Sequence, residues 1–335
     1  MAGVSIGTAS HVVTGSVPVT SRLRKRVLAA IKTLNYQPDH IARSLRNRRT
    51  QTIGIIVPDL TISFFPKVIR GAEEAARERG YWLIAVNSDD DGTRQQELLS
   101  LLQSRRVDGI LLAVAAAPAP LRQVARAMAA GIPVVSVDRL ADRLMVDSVT
   151  VDDQQAVALG IEHLLSQGYR NIAIVTGPMI LKNERYRLLA YRETLRRAGL
   201  PDNPHLVWEG NLRTDAVAQL CSRRLSVPGP RPDGILATNG PTALGVLQAF
   251  RDCGLRTPGD IGLVAFDELT ATDLFSPSIT AIIQPAYEIG RRAAQLLLDR
   301  IEARTGADSP PRSAVRLPAR LDVRDSSRCL TRVAT

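Results

Sequence analysis

Two hydrophobic patterns take turns along most of the chain. From Thr52 onward, short apolar runs such as TIGIIV, VDGILLAV and IGLVAF are separated by segments such as TRQQELLSLLQSRR, in which apolar residues recur every three or four positions. Runs of the first kind are typical of buried strands, and segments of the second kind are typical of amphipathic helices. Their alternation predicts parallel sheets with helices on both faces. Because the pattern restarts near Arg170, the sequence predicts two similar α/β lobes.

The first 50 residues show only the helical pattern. In AGVSIGTASHVVTGS, a turn is followed by one short predicted helix, with Ser5 as its candidate N-cap and Gly15 as its candidate stop. A second helix is predicted after Thr20, and Pro38 opens a third, DHIARSLRNRR. The apolar stripe of the second helix consists of Leu23, Val27, Ile31 and Leu34. The chain is therefore predicted to begin with a small helical domain, followed by a basic linker and the two lobes.

The positive charge of the chain is concentrated in its first 50 residues. The net charge is +10, and residues 1–50 contribute nine basic side chains and one acidic side chain, or +8. Arg22, Arg24, Lys25 and Arg26 crowd the start of the second predicted helix, where the helix dipole disfavours cations unless an anion lies nearby. A solvated basic surface would account for such a run. A strongly basic domain on a nearly neutral body is, however, typical of nucleic-acid binders, because phosphate supplies the missing anion.

Several classes of protein are disfavoured by what the sequence lacks. Its three cysteines, Cys221, Cys253 and Cys329, are far apart, which argues against a disulfide framework or a zinc site. No secretion signal is recognisable and no apolar run is long enough to cross a membrane, so a cytoplasmic protein is expected. The four histidines are dispersed, and HExxH, GxSxG and GxGxxG motifs are absent. The sequence thus predicts no metal, no cofactor and no catalysis.

Polar residues cluster at the ends of the predicted strands. They include Asp59, Asn87–Asp91, Asp138–Arg139, Asn239 and Asp267. In open α/β sheets, ligands bind at the carboxyl ends of the strands. Carboxylates, amides and an arginine would bind the hydroxyl groups of a sugar, and Phe64 and Phe65 would stack on its ring. The alternative for each single polar residue is a turn former or a helix cap.

Two N-terminal segments, AGVSIGTASHVV and RKRVLAAIKTLNYQPDHIARSLRNRRTQTIGIIVPD, carry a family resemblance. They closely resemble the DNA-binding head and hinge of the LacI family (LacI/GalR) of bacterial transcription regulators. The resemblance implies a helix-turn-helix whose second helix enters the major groove, and hinge helices of a dimer that enter the minor groove. The DNA-binding residues that it implies are Ser5, Ile6, Gly7, Thr8, Ser10, His11 and Thr14 in the head, and Ala42, Arg43 and Leu45 in the hinge.

Individual roles in DNA binding follow from the same resemblance. It implies that Ile6, Gly7 and His11 read bases and that Leu45 wedges between the central base pairs. The chain departs from the family pattern at His11, where arginine is usual. In the family a further helix precedes the segment AGVS, so the resemblance implies a partial helix-turn-helix that lacks its first helix.

The body carries the resemblance as well, in segments such as GIPVVSVDR, HLLSQGYRNIAIVTGP and ALGVLQAFRDCGLRTPGDIGLVAFDEL. These segments resemble the effector-binding core of the LacI family, which is similar to periplasmic sugar-binding proteins. By match to the family's motifs, Arg187 stands at the effector-gripping arginine, Asp267 at the aspartate of GFD, and Asn239 at the asparagine of an Asn-Asp pair whose aspartate is replaced by Gly240. The predicted effector-binding residues are Phe64, Phe65, Asp89, Asp138, Arg139, Asp153, Arg187, Asn239, Asp267 and Gln284.

The predicted fold is a small all-α helix-turn-helix head followed by an α/β core of two doubly wound parallel-sheet lobes, like those of periplasmic binding proteins. The predicted parts are the head (1–37), the hinge (38–51), the first lobe (52–152 with 285–314), the second lobe (153–284 with 315–326) and a tail (327–335). The chain is predicted to cross between the lobes near 152–153, near Gln284 and near Val315.

The predicted function is that of a transcriptional repressor that binds a pseudo-palindromic DNA operator as a homodimer and responds to a small polar effector such as a sugar. Such a protein would work in the cytoplasm, on the nucleoid when bound to DNA. The segment SSRCLTRVAT shows no leucine heptads, so a dimer is preferred to a tetramer. The alternatives are a sugar-binding sensor that has lost DNA binding, and an enzyme that turns over the ligand of its cleft.

Overall fold

The chain divides into two compact units, residues 1–50 (the head) and residues 51–335 (the core). The computed structural model describes residues 2–14, 17–34, 49–117, 121–142, 144–227, 231–269, 276–303 and 311–328. The side chains of Ser10, Val13 and Thr14 are not among those described. Most of the predicted hinge, with its DNA-binding candidates Ala42, Arg43 and Leu45, also lies outside the described residues.

The described part of the head contains the helices α1 (Ile6–Thr14) and α2 (Ser21–Thr33). Ser5 is the N-cap of α1, as predicted, because its Oγ accepts a hydrogen bond of 3.2 Å from the backbone N–H of Thr8. Thr20 precedes α2 without a side-chain cap hydrogen bond. On the apolar stripe of α2, Val27 is buried whereas Leu34 is exposed. The stripe therefore buries its centre and not its whole length.

The core alternates strands and helices as the hydrophobic pattern predicts. In its described residues the elements are β1 (Thr52–Val57), α3 (Phe64–Glu78), β2 (Trp82–Asn87), α4 (Gly92–Ser104), β3 (Gly109–Leu112), α5 (Arg122–Ala129), β4 (Val134–Val137), β5 (Asp147–Val151), α6 (Asp153–Ser166), β6 (Ile172–Thr176), α7 (Lys182–Arg197), β7 (Val207–Glu209), α8 (Thr214–Ser226), β8 (Gly234–Ala237), α9 (Gly240–Asp252), β9 (Gly262–Phe266), β10 (Thr280–Ile283), α10 (Ala286–Ala303), β11 (Ala314–Leu317) and β12 (Arg320–Asp322).

The first lobe is built on a sheet with the strand order β11-β5-β4-β3-β1-β2, in which every neighbouring pair is parallel. Successive side chains of β1 point to opposite faces. Ile55 packs among residues of α3 and α10, and Ile56 packs among residues of α4 and α5. Both faces of the sheet are therefore covered by helices, which confirms the doubly wound prediction for this lobe.

The second lobe repeats this architecture with the strand order β12-β10-β9-β8-β6-β7. Residues of α8 and α9 form the apolar core on one face of the sheet, and residues of α6 and α7 form that on the other. The pairs are parallel except that β12 runs antiparallel to β10. This strand departs from the predicted all-parallel sheet because it follows β11 directly, without a crossover helix to reverse its direction.

The chain passes between the lobes after β5, after β10 and after β11. Val315 pairs with Val149 in the first sheet, so the third crossing lies at Pro318–Ala319, a few residues after the predicted position near Val315. The side-chain amide of Gln155, in the first turn of α6, donates to the backbone oxygen of Ala319 and accepts from its N–H, both at 3.0 Å. These two hydrogen bonds tie the first crossing to the third.

Two glycines let α3 and α10 approach each other to backbone contact. A Cβ atom on Gly71 would lie 1.9 Å from the carbonyl oxygen of Tyr287, and one on Gly290 would lie 1.8 Å from that of Val68. A side chain at either position would force the two helices apart. The close crossing fixes α3, whose first turn faces the cleft between the lobes.

Candidate ligand-binding cleft

Polar side chains from both lobes meet in one buried pocket at the strand ends. They are Asp138 and Arg139 from the first lobe, and Asn183, Glu184, Arg187, Asn239, Asp267 and Gln284 from the second, with Phe64 and Phe65 beside them. Eight of the ten predicted effector-binding residues line this pocket. Asp138 follows β4 and Asp267 follows β9 with φ angles of 60° and 72°, a left-handed conformation that aspartate adopts more readily than most residues. These turns place both carboxylates in the cleft.

Asp89 and Asp153 do not line the pocket. Asp153 lies behind Arg187, and its Oδ1 accepts a hydrogen bond of 2.7 Å from the Arg187 Nε. Asp89 lies at the mouth of the cleft, where it is paired with Arg94 and Asn87. The difference arises because Asp89 follows β2, the edge strand of its sheet, and the edge lies away from the pocket.

Arg187 is the centre of the buried network. Besides its bond to Asp153, its Nη1 donates to the backbone oxygen of Thr238 at 2.6 Å and lies 3.5 Å from the Glu184 Oε1. Its guanidinium carbon lies 3.9 Å from the centroid of the Phe266 ring, within the range of a cation–π interaction. Arg187 is therefore held in place by protein groups on several sides.

Glu184 and Asn183 are pocket residues that the sequence prediction missed. Glu184 is buried, and its Oε2 accepts hydrogen bonds from the Gly177 N–H at 2.9 Å and from the Thr238 hydroxyl at 2.7 Å. Its Oε1 lies 3.4 Å from the Asn239 Nδ2. The available signal was helical spacing, because residues three and four positions before Arg187 lie on the same face of a helix.

Burial raises the pKa of three aspartates in and behind the pocket. The pKa values of Asp138, Asp153 and Asp267 are each raised to about 6, chiefly by burial, although the Arg187 guanidinium lowers all three. Burial alone would lower the pKa of Arg187, but the carboxylates of Asp153, Glu184 and Asp138 outweigh it and raise that pKa. Arg187 is therefore permanently charged, while the aspartates take up protons in mild acid.

Several acceptor atoms in the pocket receive no hydrogen bond. No described residue donates a hydrogen bond to the Asp138 carboxylate, and the nearby Arg139 Nε lies 4.0 Å from it. Asp267 accepts one bond of 2.8 Å from the Gln284 Nε2. Gln284 Oε1 and Asn183 Oδ1 are buried with no partner among the described residues. Because buried acceptors are costly when unsatisfied, the pocket suits a ligand rich in hydroxyl donors.

The two lobes are closed over the pocket in this structure. Ser63 donates to the backbone oxygen of Glu268 at 2.8 Å, and the Lys67 ammonium lies 3.3 Å from the Glu268 carboxylate. A second bridge joins Arg185 to Asp142 at 2.6 Å. The closed pocket has a volume of about 30 Å³, whereas the chamber outside it has about 830 Å³. Ligand pockets commonly have roughly 300–1,000 Å³, so a sugar must separate the lobes to enter.

The described surface of the head carries both basic and apolar side chains. Ile6, at the start of α1, is 90% exposed, and Arg22, Arg24 and Lys25 are exposed on the first turns of α2. An exposed apolar side chain suits contact with thymine methyl groups, and exposed cations suit contact with phosphates. The predicted DNA-binding residues of α1 thus include a solvent-facing Ile6 and the capping pair formed by Ser5 and Thr8.

The described residues hold neither a membrane-spanning helix nor a cluster of metal ligands. No helix among them is long and apolar enough to span a membrane. No group of three or more His, Cys, Asp or Glu side chains among them is placed to hold a metal ion.

Comparison with known proteins places the chain among bacterial regulators. The family model described as periplasmic binding proteins and sugar binding domain of the LacI family matches residues 50–320, and that described as bacterial regulatory proteins, lacI family, matches residues 1–39. The ribose operon repressor of Escherichia coli (strain K12) is 34% identical over 307 residues, which cover 90% of this chain and 91% of the repressor.

Two solved structures extend the comparison. The complex of the transcriptional regulator CelR with cellobiose is 30% identical with a TM-score of 0.74, and covers 97% of both chains. The lac repressor dimer bound to its operator and the anti-inducer ONPF is 25% identical with a TM-score of 0.83, and covers 97% of this chain and 96% of the repressor. These likenesses confirm both the family resemblance and the two-lobed fold. The chain belongs to the LacI family of bacterial transcription regulators.

Proposed function

We propose that the head binds a pseudo-palindromic operator as part of a homodimeric repressor, and that the cleft binds a small sugar that controls operator binding. The observation that carries this proposal is the shared pocket, where Asp138 from the first lobe and Asp267 from the second present open acceptor oxygens. A sugar that donates hydrogen bonds to both carboxylates would hold the lobes together. Sugar binding and lobe closure are therefore coupled.

The relatives support the choice of sugar and DNA as partners. One relative is named for the ribose operon, one is bound to cellobiose, and one is bound to its operator as a dimer. A sensor without DNA binding is not favoured, because the LacI regulatory model matches residues 1–39. The relatives are regulators and not enzymes, so we expect the bound sugar to leave unchanged. The repressor then works in the cytoplasm, where the operator lies.

The test of this function combines DNA binding with sugar binding. DNA from the region upstream of the protein's own gene is expected to be retarded in a gel mobility shift by the full chain, and addition of the sugar that binds in calorimetry is expected to change that shift. A mobility shift that the sugar weakens indicates induction, and one that the sugar strengthens indicates co-repression. A sugar that binds tightly without altering the mobility shift would contradict the proposed coupling.

The salt dependence of operator binding is expected to report on the basic turn of α2. The double variant Arg22→Gln/Arg24→Gln removes two exposed cations, and the slope of log affinity against log salt becomes shallower by about one for each phosphate whose cation is removed. Fluorescence anisotropy between low and moderate salt measures this slope. The matched control is Arg126→Gln, which removes an exposed arginine of α5 in the core. If the double variant kept the wild-type slope, the basic turn would not bind phosphate.

The edge strand β2 is the proposed contact between two copies of the chain. It ends the first sheet and exposes Trp82 at 75% of its surface, and exposed edge strands with large apolar side chains are sites of chain pairing. Trp82→Glu is expected to convert a dimer to a monomer at micromolar concentration in sedimentation velocity. Leu189→Glu, at a position 57% exposed on α7, serves as the control and is expected to remain dimeric. A dimeric Trp82→Glu protein would place the interface elsewhere.

A further inference from the structure

The pocket opens into the outer chamber through a narrow neck. The two cavities share Ile62, Leu212, Gly240 and Pro241 as lining residues, and these four form the neck. The chamber is about 830 Å³, against about 30 Å³ for the closed pocket. A ligand held in the pocket therefore has space beside it past these four residues.

Gly240 is the neck residue whose identity the fold does not require. It is the first residue of α9, and a Cβ atom placed on it would meet only the Leu269 side chain, at 3.8 Å, which is ordinary contact. The helix dipole favours an acidic residue at a helix N-terminus. Glycine at position 240 therefore stabilises α9 less than an acidic residue would. Leu269 itself lines the outer chamber, and a side chain at position 240 would therefore project into the space between pocket and chamber.

The lining of the outer chamber suits a ligand that carries hydroxyl groups. Its wall carries hydrogen-bonding side chains from both lobes, including Asn87, Asp89, Asn211, Arg213 and Asp215. No aromatic side chain lines it among the described residues, so it offers no platform on which a nucleobase would stack. The chamber wall carries more aspartates than arginines. The excess of negative charge disfavours binding of a phosphorylated or acidic group. The chemistry that fits is a neutral, polyhydroxylated group.

We propose that the effector is a saccharide of two units, with one ring in the pocket and a second ring in the outer chamber, joined through the open neck at Gly240. This inference rests on the proposed sugar-regulated function and adds the length of the ligand to it. Gly240 is then a specificity-determining residue, because the absence of its side chain admits the linkage between the two rings.

The test is isothermal titration calorimetry of the full chain with named sugars. The disaccharides cellobiose, lactose and maltose are compared with the monosaccharides D-glucose, D-galactose and D-ribose, on the wild type and on the series Gly240→Ser, Gly240→Asp and Gly240→Leu. At least one disaccharide is expected to bind about tenfold more tightly than every monosaccharide. Its affinity is expected to fall progressively along the series, by about tenfold or more for Gly240→Leu, and by a larger factor than the affinity of any monosaccharide.

The design separates failure of this inference from failure of the proposed function. The matched control is Gly259→Asp, at an exposed glycine far along the chain from the neck, and Gly240→Ser keeps the test valid if the larger variants fold poorly. A monosaccharide that binds as tightly as every disaccharide, or disaccharide binding unaffected by Gly240→Leu, would overturn the inference and leave sugar regulation standing. Failure of all six sugars to bind would overturn both.

Discussion

Arg187→Ala is expected to abolish sugar binding and to lower the free energy of unfolding by about 3–5 kcal/mol, the range found when one partner of a buried ion pair is removed. The substitution leaves the buried carboxylates of Asp153 and Glu184 without the cation that lies 2.7 and 3.5 Å from them. It also removes the attraction that lowers the pKa of Asp138 and Asp267. Calorimetry measures the sugar affinity, and urea unfolding at neutral pH measures the stability.

Two comparisons sharpen the Arg187 experiment. Arg187→Lys keeps the charge but lacks the planar fork that contacts Asp153 and Thr238 together, so an intermediate loss is expected. The destabilisation caused by Arg187→Ala is expected to shrink as the pH falls toward 5, because burial raises the pKa of Asp153 to about 6 and its stranded carboxylate then binds a proton. An Arg187→Ala protein with wild-type sugar affinity would refute the central role assigned to this residue.

Mild acid is expected to stabilise the wild type relative to Asp138→Asn. The pKa of Asp138 is raised to about 6 from an ordinary 3.8, mainly by burial, so the folded chain binds this proton more tightly than the unfolded chain. The stabilisation is fully present below the unfolded pKa and is lost as the pH rises through about 6. The difference in unfolding free energy between the two proteins is therefore expected to change by on the order of 2 kcal/mol between pH 7 and pH 4.

Sugar affinity is expected to follow the opposite course with pH. Protonation of the Asp138 and Asp267 carboxylates removes their negative charge and turns one acceptor oxygen of each into a donor, so affinity weakens as the pH falls below about 6. In Asp138→Asn this weakening is expected to be smaller, since only Asp267 and Asp153 remain to titrate. Calorimetry from pH 5 to pH 8 measures both profiles. Identical profiles for the two proteins would show that Asp138 does not titrate in the pocket.

Much of the fold followed from local pattern, and the exceptions have physical causes. The alternation of apolar runs and amphipathic segments is enough to predict both lobes, because the strands bury both faces whereas the helices bury one. The third crossing is predicted a few residues too early, because β11 and β12 are separated only by Pro318 and Ala319 and no change of pattern marks the boundary between them. Pattern marks where side chains are buried, but not which of two sheets buries them.

The same distinction holds at the site. A family motif predicts the role of Arg187, and the position after a strand predicts that of Asp138. Both signals are local in the sequence. Glu184 was missed because its partners Gly177 and Thr238 lie 7 and 54 residues away in the chain. Asp89 is predicted to line the pocket because it lies in the polar segment that follows β2, and the sequence does not show that β2 is the edge strand.

The paired hydrogen bonds between Gln155 and Ala319 have a mechanical consequence. They bind the first and third crossings into one strap, so these two segments cannot twist independently. The second crossing, between β10 and α10, remains a separate attachment. Because the lobes are then joined at two places, we expect the cleft to open by rotation of one lobe about the line through these two places. A ligand that binds both lobes would then change mainly the angle between them.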